Sequence, residues 1–170
     1  MSDTFSLNLT NYKEIKRALD SLGPDQGKAV AMAGREASRN ILVPALMRAA
    51  PTNTGELEDS FKVMSKVSAK HGTVEVKVGV DPKAVGRHLA IRRDGSTYMK
   101  RVAPSRYLHL VEKGHKKGRG KGAASSNPFM RRTFEQKRER MAQVFEAALN
   151  KSIAKVWKTV QRRKAKKGRG

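Results

Sequence analysis

The stretch Thr73-Val74-Glu75-Val76-Lys77-Val78-Gly79-Val80 decides the fold class of this chain. Valine stands at every second position, and glutamate, lysine and glycine stand between the valines. Because successive side chains of a strand point to opposite faces, this alternation predicts a β-strand with one buried and one solvated face. The chain therefore contains a sheet, and the segments on either side indicate what accompanies it.

Further strand signals lie around this segment. Phe61, Val63 and Val67 alternate with lysines just before it. After it, Asp94-Gly95 is a dipeptide that accepts the positive φ angles of tight hairpin turns, and it marks the tip of a basic hairpin. Together these signals predict a central antiparallel sheet, with additional strands at residues 5–9, 61–67, 87–102 and 107–111.

Helical patterns precede the predicted sheet. Asn11 and Glu14 resemble a capping box at the start of a first helix, and Gly23-Pro24 breaks that helix. A second helix is predicted from about Asp25 to Ala49, with a kink at Pro44 because proline lacks a backbone donor. The apolar residues of its inner face are Val30, Ala33, Ala37, Ile41 and Ala45.

A long apolar stripe follows the sheet, after Asn127-Pro128, which resembles a helix start. A helix of about 33 residues would be about 50 Å long, whereas a domain of this size has a radius of gyration of about 14–15 Å. The helix must therefore cross the domain or project from it, and an exposed stripe would require a partner. The residues predicted to mediate oligomerisation or docking are Phe129, Met130, Phe134, Met141, Phe145 and Trp157.

These patterns predict an α+β fold with N-terminal helices, a central antiparallel β-sheet and a long C-terminal helix with a basic tail. The 170 residues fit one domain, which we place at residues 1–160. The basic hairpin 87–102 and the Gly/Lys loop 113–126 belong to that domain, and residues 161–170 form the basic C-terminal tail.

The charge of the chain is unevenly distributed. Residues 1–60 hold 7 Lys/Arg against 8 Asp/Glu, whereas residues 61–170 hold the remaining 30 against 7, for a net charge of +22. Such an excess indicates a polyanion or acidic partners nearby, although a solvated tail that aids solubility is the alternative. The cations predicted to face DNA or acidic partners are Arg92, Arg93, Lys116, Lys117, Arg119, Lys121, Arg162, Arg163, Lys164, Lys166 and Lys167.

Other function classes find little support in the sequence. Gly120-Lys121 does not complete a phosphate-binding loop, because His115 and Gly122 stand where glycine and Ser/Thr are required. The four histidines have no metal-ligand spacing, there is no cysteine, and no acid pair or nucleophile motif suggests catalysis. No apolar run is long enough to span a membrane, and the N-terminus is not a signal peptide. We therefore expect no catalytic residues, no metal, no cofactor and no membrane association.

Four sequence elements together resemble a known family. In chain order they are Ala50-Pro51-Thr52-Asn53-Thr54-Gly55-Glu56-Leu57 with Ser60, then Val78-Gly79-Val80, then Tyr107 with Val111-Glu112-Lys113-Gly114-His115, and Asn127-Pro128-Phe129-Met130-Arg131-Arg132-Thr133-Phe134. They resemble the neck or tail-completion proteins of long-tailed bacteriophages, the tail-component family encoded between the head–tail connector and tail-tube genes. The resemblance runs from about residue 5 to residue 150.

The resemblance implies a virion structural protein at the head–tail junction that forms a ring around the DNA channel. It implies several partners: further copies of the chain, a head–tail connector or head-closure protein, a tail terminator or tail-tube protein, and packaged DNA without sequence specificity. Assembly would occur in the host cytoplasm. The residues predicted to shape the family motifs are Pro51, Gly55, Leu57, Glu112, Gly114 and Pro128.

Two questions stay open at this level. Neck protein, tail terminator and head-closure protein are alternatives within the resemblance. A basic nucleic-acid-binding protein without sequence specificity is the alternative outside it, because runs of cations bind phosphates by releasing counterions. Neither basic cluster contains aromatic residues for base stacking, which argues against a single-strand platform.

Overall fold

The computed structural model describes residues 12–51, 56–68, 73–116 and 123–167. Its helices are α1 (Tyr12–Asp20), α2 (Gln26–Ala37), α3 (Val43–Ala49), α4 (Pro104–Lys113) and α5 (Phe129–Lys167). Its strands are β1 (Phe61–Ser68), β2 (Thr73–Val80), β3 (Gly86–Ile91), β4 (Thr97–Val102), β5 (His115–Lys116) and β6 (Ala123–Ala124). The predicted α+β class is confirmed. The strand predicted at residues 5–9 and the capping residue Asn11 lie outside the described residues.

The described strands form three two-stranded sheets: β1 with β2, β3 with β4, and β5 with β6. The basic hairpin is confirmed as the antiparallel pair β3–β4, in which Gly86 lies opposite Val102 and Ile91 opposite Thr97. Its tip closes as Asp94-Gly95 predicts. Gly95 has a φ of +83°, and Oδ1 of Asp94 accepts a hydrogen bond from the Ser96 N–H at 2.9 Å.

The helical N-terminal third largely follows its sequence signals. Gly23 has a φ of +56°, and a short 3-10 turn at Gly23–Asp25 separates α1 from α2, as Gly23-Pro24 predicts. Ala33, Ala37 and Ala45 of the predicted inner face are buried.

The distortion of the second helix does not begin at Pro44. It begins upstream as a π-helical segment, Ser38–Leu42, which joins α2 to α3. Pro44 has no N–H to donate to the carbonyl four residues before it, and its ring would clash with that carbonyl. A widened turn before the proline relieves both problems, because π bulges shift the hydrogen bonds by one residue.

The strand predicted at Tyr107–Val111 is wrong, because this segment belongs to helix α4. Pro104 stands at the first turn, where its fixed φ favours a helix and its missing N–H costs nothing. Tyr107, Leu108, Leu110 and Val111 are half-buried while His109 is exposed, which is a helical rather than an alternating pattern. The segment also contains leucines where a strand would favour a run of β-branched residues.

Helix α5 is longer than predicted. It has 39 residues and a length of about 58 Å, and it continues through the predicted basic tail as far as Lys167. Residues 161–167 consist of glutamine, arginine, lysine and alanine, which are strong helix formers. Gly168, which follows this run, is a poor helix former.

The chain packs as two compact units. The first comprises the described parts of residues 1–42, 63–77 and 137–170, and the second those of residues 43–62 and 78–136. In the first unit, α1, α2 and α5 bury two adjoining clusters, Ile15, Ala33, Ala148 and Leu149 in one, and Leu22, Ala29 and Val156 in the other. In the second unit, Phe129 is buried and its ring packs edge-on against Phe61, with centroids 6.2 Å apart. A single domain over residues 1–160 stays a prediction.

Two glycines of α2 lie against the β1–β2 pair within the first unit. A Cβ added to Gly34 would lie 2.7 Å from Cγ2 of Val76, and one added to Gly27 would lie 2.7 Å from Cγ1 of Val67. Both distances are shorter than van der Waals contact allows. The absent side chains therefore let the helix approach the strands closely.

The substitution Gly34→Ala is expected to destabilise the protein by about 1 kcal/mol. Overpacking against the stiff side chain of Val76 costs about 1–3 kcal/mol and exceeds the gain in helix propensity of about 1 kcal/mol. Urea unfolding measures the difference. Gly79→Ala is the control, because nothing lies within 4 Å of a Cβ at that position. A Gly34→Ala protein more stable than the parent would contradict the close packing.

Candidate interaction surfaces

The third sequence element, Val111-Glu112-Lys113-Gly114, links the end of α4 to the start of α5. Oε1 of Glu112 accepts a hydrogen bond from the Met130 N–H at 2.7 Å, and the Asn127 N–H donates to the Val111 carbonyl at 2.9 Å. A carboxylate at this position satisfies an orphan donor and complements the positive end of the helix dipole. Glu112 therefore caps the start of α5. Gly114, with a φ of +71°, ends α4.

The first sequence element, which runs from Ala50 to Leu57 and includes Ser60, precedes β1. Leu57 is buried, and the Ser60 hydroxyl donates to its carbonyl at 2.7 Å. The Ser60 carbonyl in turn accepts the Asp81 N–H at 2.8 Å. Pro51 is exposed, and Gly55 lies outside the described residues. Pro128, the remaining predicted motif residue, is half-buried immediately before α5.

Asp81 is held by two donors next to this element. Nζ of Lys62 lies 2.9 Å from its Oδ2, and the Lys83 N–H donates to its Oδ1 at 2.9 Å. The hydrogen bond from Lys62, followed by that from Lys83, lowers the pKa of Asp81 below its ordinary value of 3.8. A lowered folded-state pKa contributes stability above pH 3.8, and that contribution is lost as the pH falls through the folded pKa.

Asp81→Asn is therefore expected to lower the melting temperature at pH 7, because the ion pair with Lys62 is lost. The difference from the parent should shrink as the pH falls from 3.8 through the lowered folded-state pKa, because the parent carboxylate then loses its charge. Thermal unfolding at pH 7, 4 and 2.5 measures this, with the exposed Asp59→Asn as the control. A difference that stays constant across these pH values would contradict the ion-pair account.

The predicted basic positions belong to different elements of the chain. Arg92 lies over the Tyr98 ring, with its guanidinium carbon 5.1 Å from the ring centroid, and Arg93 is exposed at the hairpin tip. Arg162, Arg163 and Lys164 are exposed on α5. Lys116, Lys166 and Lys167 are described only by their backbone, in β5 and at the end of α5, and Lys117, Arg119 and Lys121 lie outside the described residues.

One of these α5 cations is paired within the first unit. Nη1 of Arg163 lies 3.2 Å from Oδ2 of Asp25, which also pairs with Lys28. The hydrogen bond from Lys28, and then the charges of Lys28 and Arg163, lower the pKa of Asp25. Arg163 therefore serves the packing of α5 on the helical unit, whereas further cations of α5 are exposed and available to partners.

Those available cations form one face of α5, here called the cationic stripe: Lys151, Lys155, Lys158 and Arg162. Their spacing of four, three and four residues places them on one side of the helix over about 16 Å. All four side chains are exposed, and no acidic residue follows Glu146 in the chain. Sequence reasoning missed the three lysines because it considered only the clustered cations of the C-terminal tail. The helical spacing of the lysines was the signal that could have revealed them.

The predicted docking stripe of α5 is largely covered by the chain itself. Phe129 and Met141 are buried, and Met130, Phe134 and Phe145 are half-buried, with Phe145 packed on the cluster around Leu149. Trp157, by contrast, is 39 % exposed. An oligomer or docking role for these residues stays a prediction. Trp157 suits that role best, because its side chain is the most exposed of the six.

A different apolar surface lies on the β3–β4 hairpin. The cross-strand pairs Arg87–Arg101, Leu89–Met99 and Ile91–Thr97 share one side of the sheet, because directly opposed residues of an antiparallel pair point the same way. We call this surface the hairpin face. Leu89, Ile91 and Met99 are 65 %, 75 % and 57 % exposed. Sequence reasoning marked the hairpin only for its arginines and missed this apolar centre.

Sites of other kinds are not found in the part of the chain that the structure describes. There, no cluster of three or more histidine, aspartate or glutamate side chains is arranged to hold a metal ion. Nor is any described helix both long enough and apolar enough to cross a membrane.

A family model decides the identity. Residues 13–114, more than half of the chain, match the family described as "Bacteriophage HK97-gp10, putative tail-component". The chain belongs to this family. The resemblance to the tail-component family is thereby confirmed, and this family member is a structural component of the phage virion.

The matched range of this tail component extends from α1 to Gly114, which ends α4. It includes the first two sequence elements, the third as far as Gly114, and the hairpin face, whereas the fourth element and the whole of α5 follow it. No curated protein and no solved structure matches the chain.

Proposed function

We propose that this tail component completes the tail, or joins it to the head, by forming a homo-oligomeric ring around the DNA channel of the phage neck. Family membership supports a virion structural role. The observation that carries the finer proposal is the cationic stripe, a row of four exposed cations along one side of α5.

The stripe suits contact with DNA without sequence specificity. Lysine and arginine side chains neutralise phosphates and release counterions, which gives attraction that does not depend on base sequence. Sequence recognition requires side chains that reach base edges, and the stripe consists of long cationic side chains only. In a ring, one such stripe per copy would surround the channel with positive charge.

The proposed partners are the neighbours of a neck ring. A head–tail connector or head-closure protein would lie on one side, and a tail terminator or tail-tube protein on the other. The role is structural rather than enzymatic. Packaged DNA is the polyanion that the net charge of +22 would meet.

Deletion of the gene from the phage that encodes it tests the proposal. Negative-stain microscopy of the lysate is expected to show DNA-filled heads and tails that have not joined, or tails with an unfinished head-proximal end. Expression of the protein from a plasmid should restore complete particles. Particles with an intact neck after deletion would contradict the proposal.

A free nucleic-acid-binding role is the second candidate, and the same cationic stripe favours it. Under that alternative, the isolated monomer would bind duplex DNA tightly even at physiological salt. Under the neck proposal, the monomer binds weakly and the contacts gain strength only when a ring presents many copies together. Gel filtration combined with DNA titration of the purified protein separates the two.

A further inference from the structure

The hairpin face combines an apolar centre with a charged end. Leu89, Met99 and Ile91 lie side by side and are more than half exposed. Half of the large apolar side chains exposed in the described residues, four of eight, lie between Val85 and Met99. A contiguous apolar patch flanked by charges is typical of a protein interface, in which the centre is apolar and the rim is polar.

The charged end of the hairpin face is Arg87 opposite Arg101. Like charges directly opposite each other destabilise a sheet. Neither guanidinium forms an ion pair with a carboxylate among the described residues. A carboxylate supplied from outside the chain would bridge both arginines and relieve their repulsion.

The spacing of these features defines the complementary surface. Residues two apart on one strand are separated by about 7 Å. The arginine pair therefore lies about 7 Å from the Leu89–Met99 pair, which is followed at a similar distance by Ile91 and Thr97. A complementary surface presents a carboxylate at one end and apolar side chains over the next two steps.

DNA does not fit the hairpin face. Duplex DNA offers phosphates to cations, but its outer surface offers little apolar area to cover three exposed aliphatic side chains. Charges alone would also be explained as protection of a sheet edge against aggregation. That explanation does not account for the apolar residues between them, which would promote aggregation if they stayed uncovered.

A second copy of the chain is also a poor occupant. A second copy offers few carboxylates to the arginine pair, because the chain holds 15 Asp/Glu against 37 Lys/Arg. An acidic protein gains from the same charge, both in the encounter and in the final contact.

We infer that the hairpin face is the docking surface for a different virion protein, one that presents an apolar patch flanked by carboxylates. Leu89, Ile91 and Met99 enter the apolar patch, and Arg87 and Arg101 hold the carboxylate. The placement of this partner next to the neck rests on the proposed function, whereas the chemistry of the contact rests on the hairpin face alone. The basic hairpin thus contacts protein, and the cationic stripe contacts DNA.

Site-specific photocrosslinking in complete particles tests this inference. The photoreactive residue p-benzoylphenylalanine replaces Thr97, which lies at the edge of the face and leaves the three apolar residues intact. The protein complements the gene deletion, and purified particles are irradiated. The expected adduct joins the chain to a different virion protein, through a peptide that contains apolar residues and at least one nearby Asp or Glu.

Variants of the face define the chemistry of the adduct. The double variant Leu89→Thr with Met99→Thr keeps β-forming residues, so the hairpin should still fold, and it is expected to lower the adduct yield by about tenfold or more. Arg101→Glu should lower the yield comparably, because it repels the partner carboxylate. The matched control places the photoreactive residue at Met64, an exposed apolar position of β1, where this adduct should not form.

The outcomes separate the inference from the proposed function. An adduct with a second copy, an adduct with DNA, or no adduct in particles that contain the protein would overturn the docking inference and leave the neck ring intact. The expected adduct in particles where the chain lies outside the neck would support the docking face and overturn the proposed function. An adduct unaffected by the threonine pair and by Arg101→Glu would overturn the assigned chemistry.

Discussion

Replacement of Lys151, Lys155, Lys158 and Arg162 by glutamine is expected to remove most of the salt-dependent binding of the purified protein to duplex DNA. Each phosphate contact contributes about 0.9 to the slope of log affinity against log salt, so four contacts contribute up to about 3.6. That slope corresponds to a change in affinity of about 100-fold between 50 and 200 mM salt. Fluorescence anisotropy with a labelled duplex of arbitrary sequence measures the slope for parent and variant.

The matched control removes the same charge from elsewhere. Lys13, Lys16, Arg17 and Arg39 are exposed cations of the first unit outside α5, and their replacement by glutamine changes the net charge by the same amount. We expect this control to retain most of the slope, because binding depends on a row of cations on one face rather than on total charge. Equal losses in both variants would contradict the assignment of DNA contact to the cationic stripe.

Phe129→Ala is expected to destabilise the second unit by about 3–5 kcal/mol. The Phe129 side chain is 2 % exposed and packs edge-on against Phe61. It also stands at the first residue of α5, next to the Met130 N–H that Glu112 caps. Loss of the ring would leave a cavity and loosen the start of the helix. Guanidinium unfolding followed by circular dichroism measures the loss.

Trp157→Ala is the contrasting variant. Its ring is 39 % exposed, so truncation should cost less than the change at Phe129. If Trp157 docks on a partner, Trp157→Ala should reduce incorporation into particles although the protein keeps most of its stability. A Phe129→Ala protein within about 1 kcal/mol of the parent would show that the residue is not part of the core.

The sequence predicts the regular elements well where one local signal dominates. The alternating valines of β2, the Asp94-Gly95 turn and the Gly23-Pro24 break are each determined by local backbone chemistry, and each is found as expected. The strand predicted at 107–111 fails because five residues are too few to separate a helical period from an alternating one. Pro104, three residues earlier, was the decisive signal and was not weighed.

The candidate surfaces likewise divide into features that a local signal reveals and features that depend on the folded structure. The dense cationic tail is visible in composition, but Lys151, Lys155 and Lys158 become one surface only when the helix is known to continue through them. The apolar face of the hairpin depends on which residues lie opposite each other, and that register is fixed by the turn and by pairing across the sheet. The role of Glu112 was beyond local reasoning, since its partner is 18 residues away in the chain.

Burial along α5 illustrates a third limit. Its apolar stripe indicates that something covers it, but periodicity does not reveal whether the cover is the chain or a partner. In the structure, the chain covers Phe129 and Met141, while Trp157 retains exposed surface. Tertiary packing, which no local pattern encodes, makes this distinction.

Cryo-electron microscopy of the neck in purified particles tests the central claim most directly. The account predicts a closed ring of this chain at the head–tail junction, with the cationic stripe of each copy facing the DNA in the channel. A chain located elsewhere in the particle, or a ring whose α5 helices lie on the outer surface away from the DNA, would contradict it.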